Sequence, residues 1–161
     1  MTNIILILTT TTTGLMAGLF FAWSCSVIPG LARLPDAGYL AAMQAMNRAI
    51  LNPLFLAAFI GTLLLLPLST ILQYGRPAPA RFWLLLAAAI VYAVGVFGVT
   101  MAGNVPLNEA LDTFNLGSAS ASDLAAQRAA FERPWNDLHL IRTWASTLSL
   151  LLAIIACRHP T

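Results

Sequence analysis

The chain has 161 residues, of which 59% are hydrophobic and 9% are charged. Soluble domains carry about 25% charged residues, so this composition excludes an ordinary soluble protein and indicates a membrane protein. All eight basic residues are arginines, and the formal net charge of +2 is small and dispersed along the chain. This charge pattern argues against a nucleic-acid-binding protein and leaves the lipid bilayer as the first expected partner.

Four stretches predict membrane-spanning helices, because a helix needs about 20 predominantly apolar residues to cross a bilayer. The first stretch is too long for the apolar part of a secretory signal peptide and lacks its basic flank, so we expect a retained span. We therefore predict a single all-α membrane domain, residues 1–161, built as a four-helix bundle with short interfacial helices in its two outer connections. The spans are expected at about 4–28, 50–74, 82–108 and 135–157.

The first predicted span contains the threonine run Thr9–Thr13, followed by Gly14 and Gly18. Threonine hydroxyls can donate to the carbonyl four residues earlier, and small residues at this spacing let two helices approach closely. We interpret the stretch as a packing surface, and a polar track for a substrate is the alternative.

The connection after the first span predicts a helix along the membrane surface. Asp36 is a suitable N-cap, and residues 37–51 have a helical composition with an apolar face. We expect this helix to run into the second span with a kink at Pro53.

The connection before the fourth span contains a flexible Gly/Ser segment at 117–122 and then a short polar helix at Asp123–Glu132. Pro134 suits the first turn of a helix, so the fourth span is expected to begin separately near Trp135. The two outer connections could cover a cavity as a lid or simply cap the membrane surface.

The fourth span is unusual because only fifteen uncharged residues separate Arg142 from Arg158. They form a helix of about 22 Å, whereas the hydrocarbon core of a bilayer is about 30 Å thick. The span must therefore include Arg142 and His139, and ionisable groups at that depth normally face a bundle interior or a wet cavity. We expect Arg142 to face Glu109, or an anionic oxygen of a ligand, inside the bundle.

Polar side chains concentrate at one end of the predicted bundle, where the outer ends of the spans meet. Many stand three or four positions apart, as His139 and Arg142 do, and this spacing places them on one helical face. We predict a polar pocket, and the alternative is that these groups only hold the helices together at about 1 kcal/mol each. The pocket set is Trp23, Ser26, Asn47, Arg48, Asn52, Asn104, Asn108, Glu109, Trp135, Asn136, His139 and Arg142.

Four segments carry a resemblance to a known family: GLFFAWSCSVIPGL near the N-terminus, NRAILNPLF, GNVPLNEAL and WNDLHLIRTW. They resemble the signature segments of the anthrone oxygenase-like family over nearly the whole chain, and NxPxN followed by WNxxxxxR is fairly specific to it. The matching residues are Asn52, Pro53, Asn104, Pro106, Asn108, Trp135, Asn136 and Arg142. The resemblance implies a four-span membrane fold and, as activity, the O2-dependent oxidation of a lipophilic aromatic or quinol-like molecule, since fungal members oxidise anthrones to anthraquinones.

The chemistry that the resemblance implies can be assigned to the predicted pocket. An anthrone has a weakly acidic CH2 between two aromatic rings, and its enolate can react directly with O2, so the protein must supply a base and an oxyanion site. His139 is the expected base because imidazole titrates near neutrality, and Arg142 and Asn136 complete the expected catalytic set. Further donors to the enolate oxygen are expected at Arg48, Asn104 and Asn108, and stacking rings at Trp23, Phe131 and Trp135.

This scheme needs no cofactor, and one histidine with one carboxylate falls short of the two-histidine-one-carboxylate iron site. A haem held by a single histidine is the alternative, and a Soret band would be its signature. Two other functions are left open, namely a non-catalytic protein that binds or transports a lipophilic small molecule and a structural membrane subunit. A homo-oligomer is left open as well.

The orientation in the membrane is expected from arginines near the span ends. Arg76, Arg81 and Arg158 share one side of the predicted bundle with both termini, and no acidic residue accompanies them. All six acidic residues lie on the other side, mixed with the remaining arginines. We therefore expect a multi-pass protein of the cell membrane with both termini in the cytoplasm and the pocket in the outer leaflet.

Overall fold

The computed structural model describes residues 2–75 and 78–159, whose regular structure is entirely helical. Arg76, which was expected on the side of the termini, lies outside the described residues. The helices are α1 (Asn3–Leu31), α2 (Asp36–Ala49), α3 (Pro53–Leu72), α4 (Ala80–Asp112) and α5 (Ala121–Arg158). Four of them, α1, α3, α4 and α5, are long and apolar enough to cross a membrane. The predicted all-α bundle with four membrane-spanning helices is confirmed.

The four long helices form a square bundle, because α1 packs against α3 and α5, and α4 packs against the same two helices. The central core consists of Met16, Phe20, Phe59, Leu66, Ala88, Ala89, Tyr92 and Val96. A second apolar cluster, at the end of the bundle that α2 covers, consists of Leu31, Tyr39, Leu40, Met43, Leu111, Phe131 and Trp135. We call this end of the bundle the α2 end.

The threonine run of α1 contributes to helix packing. The hydroxyl oxygens of Thr9 and of Ser69 on α3 are 2.6 Å apart, and both side chains are buried. Thr9 and Thr13 also donate to the carbonyls of Ile5 and Thr9, each at 2.7 Å. These contacts favour the packing interpretation over a polar track for a substrate.

Helix α2 does not run into α3. It ends at Ala49, and the Asn52 side chain caps α3: its Oδ1 accepts from the Phe55 N–H at 3.0 Å, and its Nδ2 donates to the Ala49 carbonyl at 2.9 Å. Pro53 is the first residue of α3, a position where the missing N–H costs no hydrogen bond. The expected continuous helix with a kink at Pro53 is therefore wrong.

Helix α5 is a single helix of 38 residues that begins with a capping box between Ser120 and Asp123. Pro134 lies inside this helix, where its missing N–H leaves the Ala130 carbonyl without its usual donor. The separate polar helix expected at Asp123–Glu132 is thus the first part of α5. Helix α5 tolerates Pro134 in its interior because the capping box and tertiary contacts hold the turns before it.

The main tertiary contact of this first part of α5 is made by Arg128. Its guanidinium donates to the carboxylates of Glu132 and Asp36 at 2.7 and 3.0 Å and to the Leu34 carbonyl at 2.8 Å. The guanidinium also lies 4.5 Å from the centre of the Tyr39 ring. Burial, and then the Glu132 carboxylate, raise the pKa of Tyr39 although Arg128 lowers it, so the phenol stays neutral at physiological pH.

We expect Arg128→Ala to lower the free energy of unfolding by about 2 kcal/mol, because it leaves two carboxylates and a carbonyl without their donor. Arg133→Ala is the matched control, since the Arg133–Asp137 pair is 4.0 Å long and its side chains are 90% and 73% exposed. That control should change stability by less than about 0.5 kcal/mol. Thermal unfolding of both variants in detergent measures the difference, and equal midpoints would contradict the role given to Arg128.

Candidate functional site

A cavity of about 250 Å³ lies inside the α2 end of the bundle. All five helices or their immediate connections contribute to its wall, which is mainly apolar and carries a few polar groups at defined positions. Ligand sites in proteins commonly have this composition. The wall consists of Leu19, Phe20, Trp23, Met46, Asn47, Arg48, Ile50, Leu51, Phe55, Thr100, Asn104, Val105, Asn108, Glu109, Asp112, Trp135, His139 and Arg142.

Three of the wall residues come from π-helical segments. Trp23 begins the π-helical segment Trp23–Val27 of α1, and Thr100 and Asn104 are the two ends of the segment Thr100–Asn104 of α4. A π-helical turn changes the direction in which the following side chains point, and such turns occur often at functional sites. The cavity therefore lies where two of the spanning helices depart from regular α-helical geometry.

Aromatic rings form one wall of the cavity. The Trp135 ring stacks on the His139 imidazole, with centroids 5.3 Å apart and planes inclined by 7°. Trp23 lies 5.9 Å from Trp135, and Phe20 meets the His139 ring edge-on at 5.8 Å. These rings present flat surfaces and edges to a ligand in the cavity.

His139 is buried, and both of its ring nitrogens lie near other polar groups. Its Nδ1 is 3.3 Å from Nη2 of Arg142, and its Nε2 is 2.9 Å from the Ser24 hydroxyl. Arginine can only donate, so Nδ1 must be the accepting nitrogen and Nε2 must carry the proton. The Ser24 hydroxyl agrees with this assignment, because it donates to the Phe20 carbonyl at 3.0 Å and its oxygen is left to accept from Nε2. The imidazole is therefore neutral, with its lone pair directed at Arg142.

Arg142 is 6% exposed and lies inside the bundle, as expected. Its guanidinium carbon is 5.0 Å from the centre of the Phe20 ring and 5.2 Å from that of Trp135, and Nη1 is 3.4 Å from the Thr100 hydroxyl. The expected ion pair with Glu109 is absent from the ion pairs of the described residues. Aromatic faces and neutral acceptors surround this cation in place of a carboxylate.

Four buried side-chain nitrogen or oxygen atoms in the described part of the chain have no hydrogen-bond partner, and all four belong to wall residues. Three are donors: Nε1 of Trp23, Nδ2 of Asn47 and Nε of Arg142. The fourth is an acceptor, Oδ1 of Asn104. A buried polar group without a partner costs about 1–3 kcal/mol, so a ligand that supplied these partners would gain affinity from them.

The other amide groups of the wall hold Trp135 in place. Nδ2 of Asn104 donates to the Trp135 carbonyl at 3.3 Å, and Oδ1 of Asn108 accepts from Nε1 of Trp135 at 2.8 Å. Arg48 and Asp112 form an ion pair of 2.6 Å at the opening of the cavity, and Glu109 lies beside it. Asn104 and Asn108 thus each hold Trp135 through one amide atom, and the buried Oδ1 of Asn104 has no partner within the protein.

Nine of the predicted site residues lie together on the cavity wall: Trp23, Asn47, Arg48, Asn104, Asn108, Glu109, Trp135, His139 and Arg142. Asn52 is not among the wall residues, because its side chain caps α3. Phe131 packs in the second apolar cluster, and Asn136 lines a small neighbouring void that has no room for a water molecule. The structure thus separates these three residues from the cavity.

Several wall residues were not assigned a role by the sequence. Thr100 stands four positions before Asn104, a spacing that could have identified it, whereas Phe20 and Leu19 look like ordinary apolar residues of a span. Ser24 does not line the cavity but contacts Nε2 of His139. No other candidate polar residue of the first span lies three or four positions from it, so the sequence did not indicate its role. The predicted Ser26 is exposed and does not line the cavity.

Metal binding can be examined through the available ligands. Among residues 2–75 and 78–159, no three histidine, cysteine, aspartate or glutamate side chains lie together in a way that could hold a metal ion. Iron bound to His139 would have to displace either the Arg142 guanidinium from Nδ1 or the Ser24 hydroxyl from Nε2.

The model of the family described as anthrone oxygenase matches this chain over residues 40–152. The matched region covers most of the chain and includes every wall residue except those contributed by α1. Neither the curated proteins nor the solved structures yielded a match.

Proposed function

The chain belongs to the anthrone oxygenase family, and on this premise we propose that it catalyses the O2-dependent oxidation of a small lipophilic aromatic or quinol-like molecule in the cavity. The observation that carries the proposal is the set of four unpartnered buried side-chain polar atoms on a wall that is mainly apolar. An aromatic ligand with oxygen substituents would bury its rings against this wall and satisfy those atoms. A purely apolar ligand would leave them unsatisfied.

The size and shape of the cavity support such a ligand. An engineered apolar cavity of about 150 Å³ holds benzene, so about 250 Å³ suits a flat molecule of two or three fused rings. The parallel Trp135 and His139 rings offer a stacking surface for it. Stacked aromatic pairs contribute about 0.5–1.5 kcal/mol beyond the burial of their surface.

The reaction proposed for a substrate CH2 group balances without an external reductant. A base removes one proton, and the resulting enolate forms a C–O bond with O2. Protonation gives a hydroperoxide, and loss of water then leaves a carbonyl at the same carbon. Overall, CH2 and O2 become C=O and H2O, so the four electrons lost by the carbon are taken up by O2.

His139 is the base in this proposal, and Nδ1 is the nitrogen that takes the proton. Nη2 of Arg142 donates to Nδ1 at 3.3 Å, so it must turn away before a proton can bind there. The enolate oxygen provides the new acceptor. Proton transfer and stabilisation of the enolate by Arg142 are thereby coupled, and donors that strengthen as charge develops are the ones that lower a barrier.

The other unpartnered atoms set the position of the substrate. Nε1 of Trp23 and Nδ2 of Asn47 can donate to the enolate oxygen or to a second oxygen of the ligand. Oδ1 of Asn104 can accept from a ligand hydroxyl, which favours phenols and quinols over ligands without such a group. Arg48 and Glu109 lie at the opening of the cavity, and Asn108 holds Trp135 in place. We therefore give these three residues no direct part in positioning the reacting oxygen.

The activity can be tested with purified protein in nanodiscs, supplied with 9-anthrone and ¹⁸O2. We expect anthraquinone to form faster than in protein-free nanodiscs and to carry one ¹⁸O atom, with the other oxygen in water. A rate equal to that of protein-free nanodiscs would contradict an oxygenase for this substrate class. Saturable binding of anthrone without turnover would instead support a binding or transport protein.

We also propose that both termini lie in the cytoplasm, so that the α2 end faces the outer leaflet. The support is Arg81 and Arg158, which lie at the opposite end of the bundle, next to the C-terminus of α5. Reporter fusions that fluoresce only in the cytoplasm should be bright at the C-terminus and dark when inserted at Gly117. The reverse pattern would place the cavity in the inner leaflet.

A further inference from the structure

The opening of the cavity has a polar side and an apolar side. Four wall residues are exposed, and we call them the rim: Arg48, Leu51, Glu109 and Asp112. Arg48 and Asp112 form their 2.6 Å ion pair with side chains that are 63% and 47% exposed, as expected of groups in contact with water or lipid headgroups. Leu51, only three positions after Arg48, is 69% exposed. The rim therefore changes from charged to apolar within a few residues.

The apolar side of the rim continues along the start of α3. Leu54 is 83% exposed, and Ile50 and Phe55 are partly buried on the cavity wall behind Leu51. Helix α3 is long and apolar enough to cross a membrane. Transfer of the Leu51 or Leu54 side chain from water to an apolar environment is favourable by about 1.5–3 kcal/mol. We therefore place this side of the rim in the hydrocarbon of the bilayer.

We propose that ligands reach the cavity sideways from the bilayer, over Leu51 at the break between α2 and α3. The charged side of the rim then lies at the headgroup level, where Arg48 and Asp112 close the cavity toward water. The inference rests on the proposed function in one respect only, namely that the ligand is lipophilic. On this route, Leu51 controls access to the cavity, whereas Trp135, His139 and Arg142 bind the ligand inside it.

The position of the opening can be tested without any ligand. Both native cysteines are exposed, so they are first replaced by Cys25→Ser and Cys157→Ser. The variants Leu51→Cys, Leu54→Cys and Glu109→Cys are then made one at a time in this background and spin-labelled. In proteoliposomes, collisions with lipid-dissolved O2, relative to water-soluble nickel–EDDA, should be several-fold more frequent at Leu51 and Leu54 than at Glu109. A label at Leu51 that behaves like the label at Glu109 would place the whole rim in water and overturn the proposal.

Access itself can be measured with 9,10-anthraquinone as the probe in the same vesicles. Trp83 and Trp144 are exposed on lipid-facing surfaces, so both are changed to phenylalanine, which leaves Trp23 and Trp135 in the cavity to report binding by fluorescence quenching. Leu51→Arg places a charge at the apolar side of the rim and should slow association and dissociation at least fivefold, with little change in affinity.

Leu54→Arg is the matched control, because Leu54 is more exposed than Leu51 and does not line the cavity. It should leave both rates within twofold of the parent. Equal rates in Leu51→Arg and the parent would overturn the proposed route. If anthraquinone does not quench the parent at all, the proposed ligand class fails, and the spin-label measurement still decides whether the opening lies in the bilayer.

Discussion

His139→Gln is expected to lower kcat for anthrone oxidation by about 10²–10⁴-fold, the usual contribution of a general base. Glutamine keeps a polar side chain of similar reach between Arg142 and Ser24, so the hydrogen bonds at both ends can be retained. It cannot accept a proton at neutral pH. The loss should therefore appear in kcat, while KM stays close to that of the parent because the Trp23 and Trp135 rings are unchanged.

His159→Gln is the control for this variant, because the second histidine lies just after the C-terminus of α5, at the other end of the bundle. It should leave kcat unchanged. Stopped-flow formation of anthraquinone in nanodiscs gives both parameters. If His139→Gln retains more than a tenth of the parental kcat, the base is another group, and Glu109 on the rim is then the carboxylate to examine.

The bundle could be predicted because it follows from composition and length, whereas the connections depended on single residues. Pro134 is acceptable both at the start of a helix and inside one. It lies inside α5 because the Ser120–Asp123 capping box and the contacts of Arg128 hold the turns before it. Pro53 suited a kink as well as a first turn, and the Asn52 cap makes it a first turn. Local sequence left both alternatives open in each case.

The candidate site was predictable as a cluster but not in its contacts. The spacing of His139 and Arg142 correctly put both on the inner face of α5, because helical periodicity determines that face. The π-helical segments that present Trp23 and Asn104 were not predicted, because nothing in the local sequence indicated them. The surroundings of Arg142 were not predicted either: Glu109 lies at the opening, and the rings of Phe20 and Trp135 lie next to the guanidinium.

Arg142→Met is expected to separate activity from stability. The variant removes the donor to the enolate oxygen, and loss of one such donor costs about 10²–10³-fold in kcat. Its thermal midpoint should not fall, because the buried guanidinium has no carboxylate partner among the described residues and makes only two long hydrogen bonds, of 3.3 and 3.4 Å. Replacing a buried charge by an apolar chain of similar length is often neutral or stabilising.

Arg81→Met is the control for Arg142→Met, because we expect it to lower stability and leave kcat unchanged. Arg81 is also buried, at 8% exposure, but it lies at the end of the bundle opposite the cavity and donates to the Ala156 carbonyl at 3.1 Å and to Gln73 at 3.4 Å. Its loss leaves the buried Oε1 of Gln73 without its donor and removes one of the two donors to the Ala156 carbonyl, which keeps the His159 N–H at 3.3 Å. We therefore expect a destabilisation of about 1–3 kcal/mol with unchanged kcat. Equal destabilisation of the two variants would mean that Arg142, like Arg81, serves the fold. A stable but inactive Arg142→Met would mean that the protein keeps in its interior a cation with no carboxylate partner among the described residues, for the sake of the substrate oxygen that it binds.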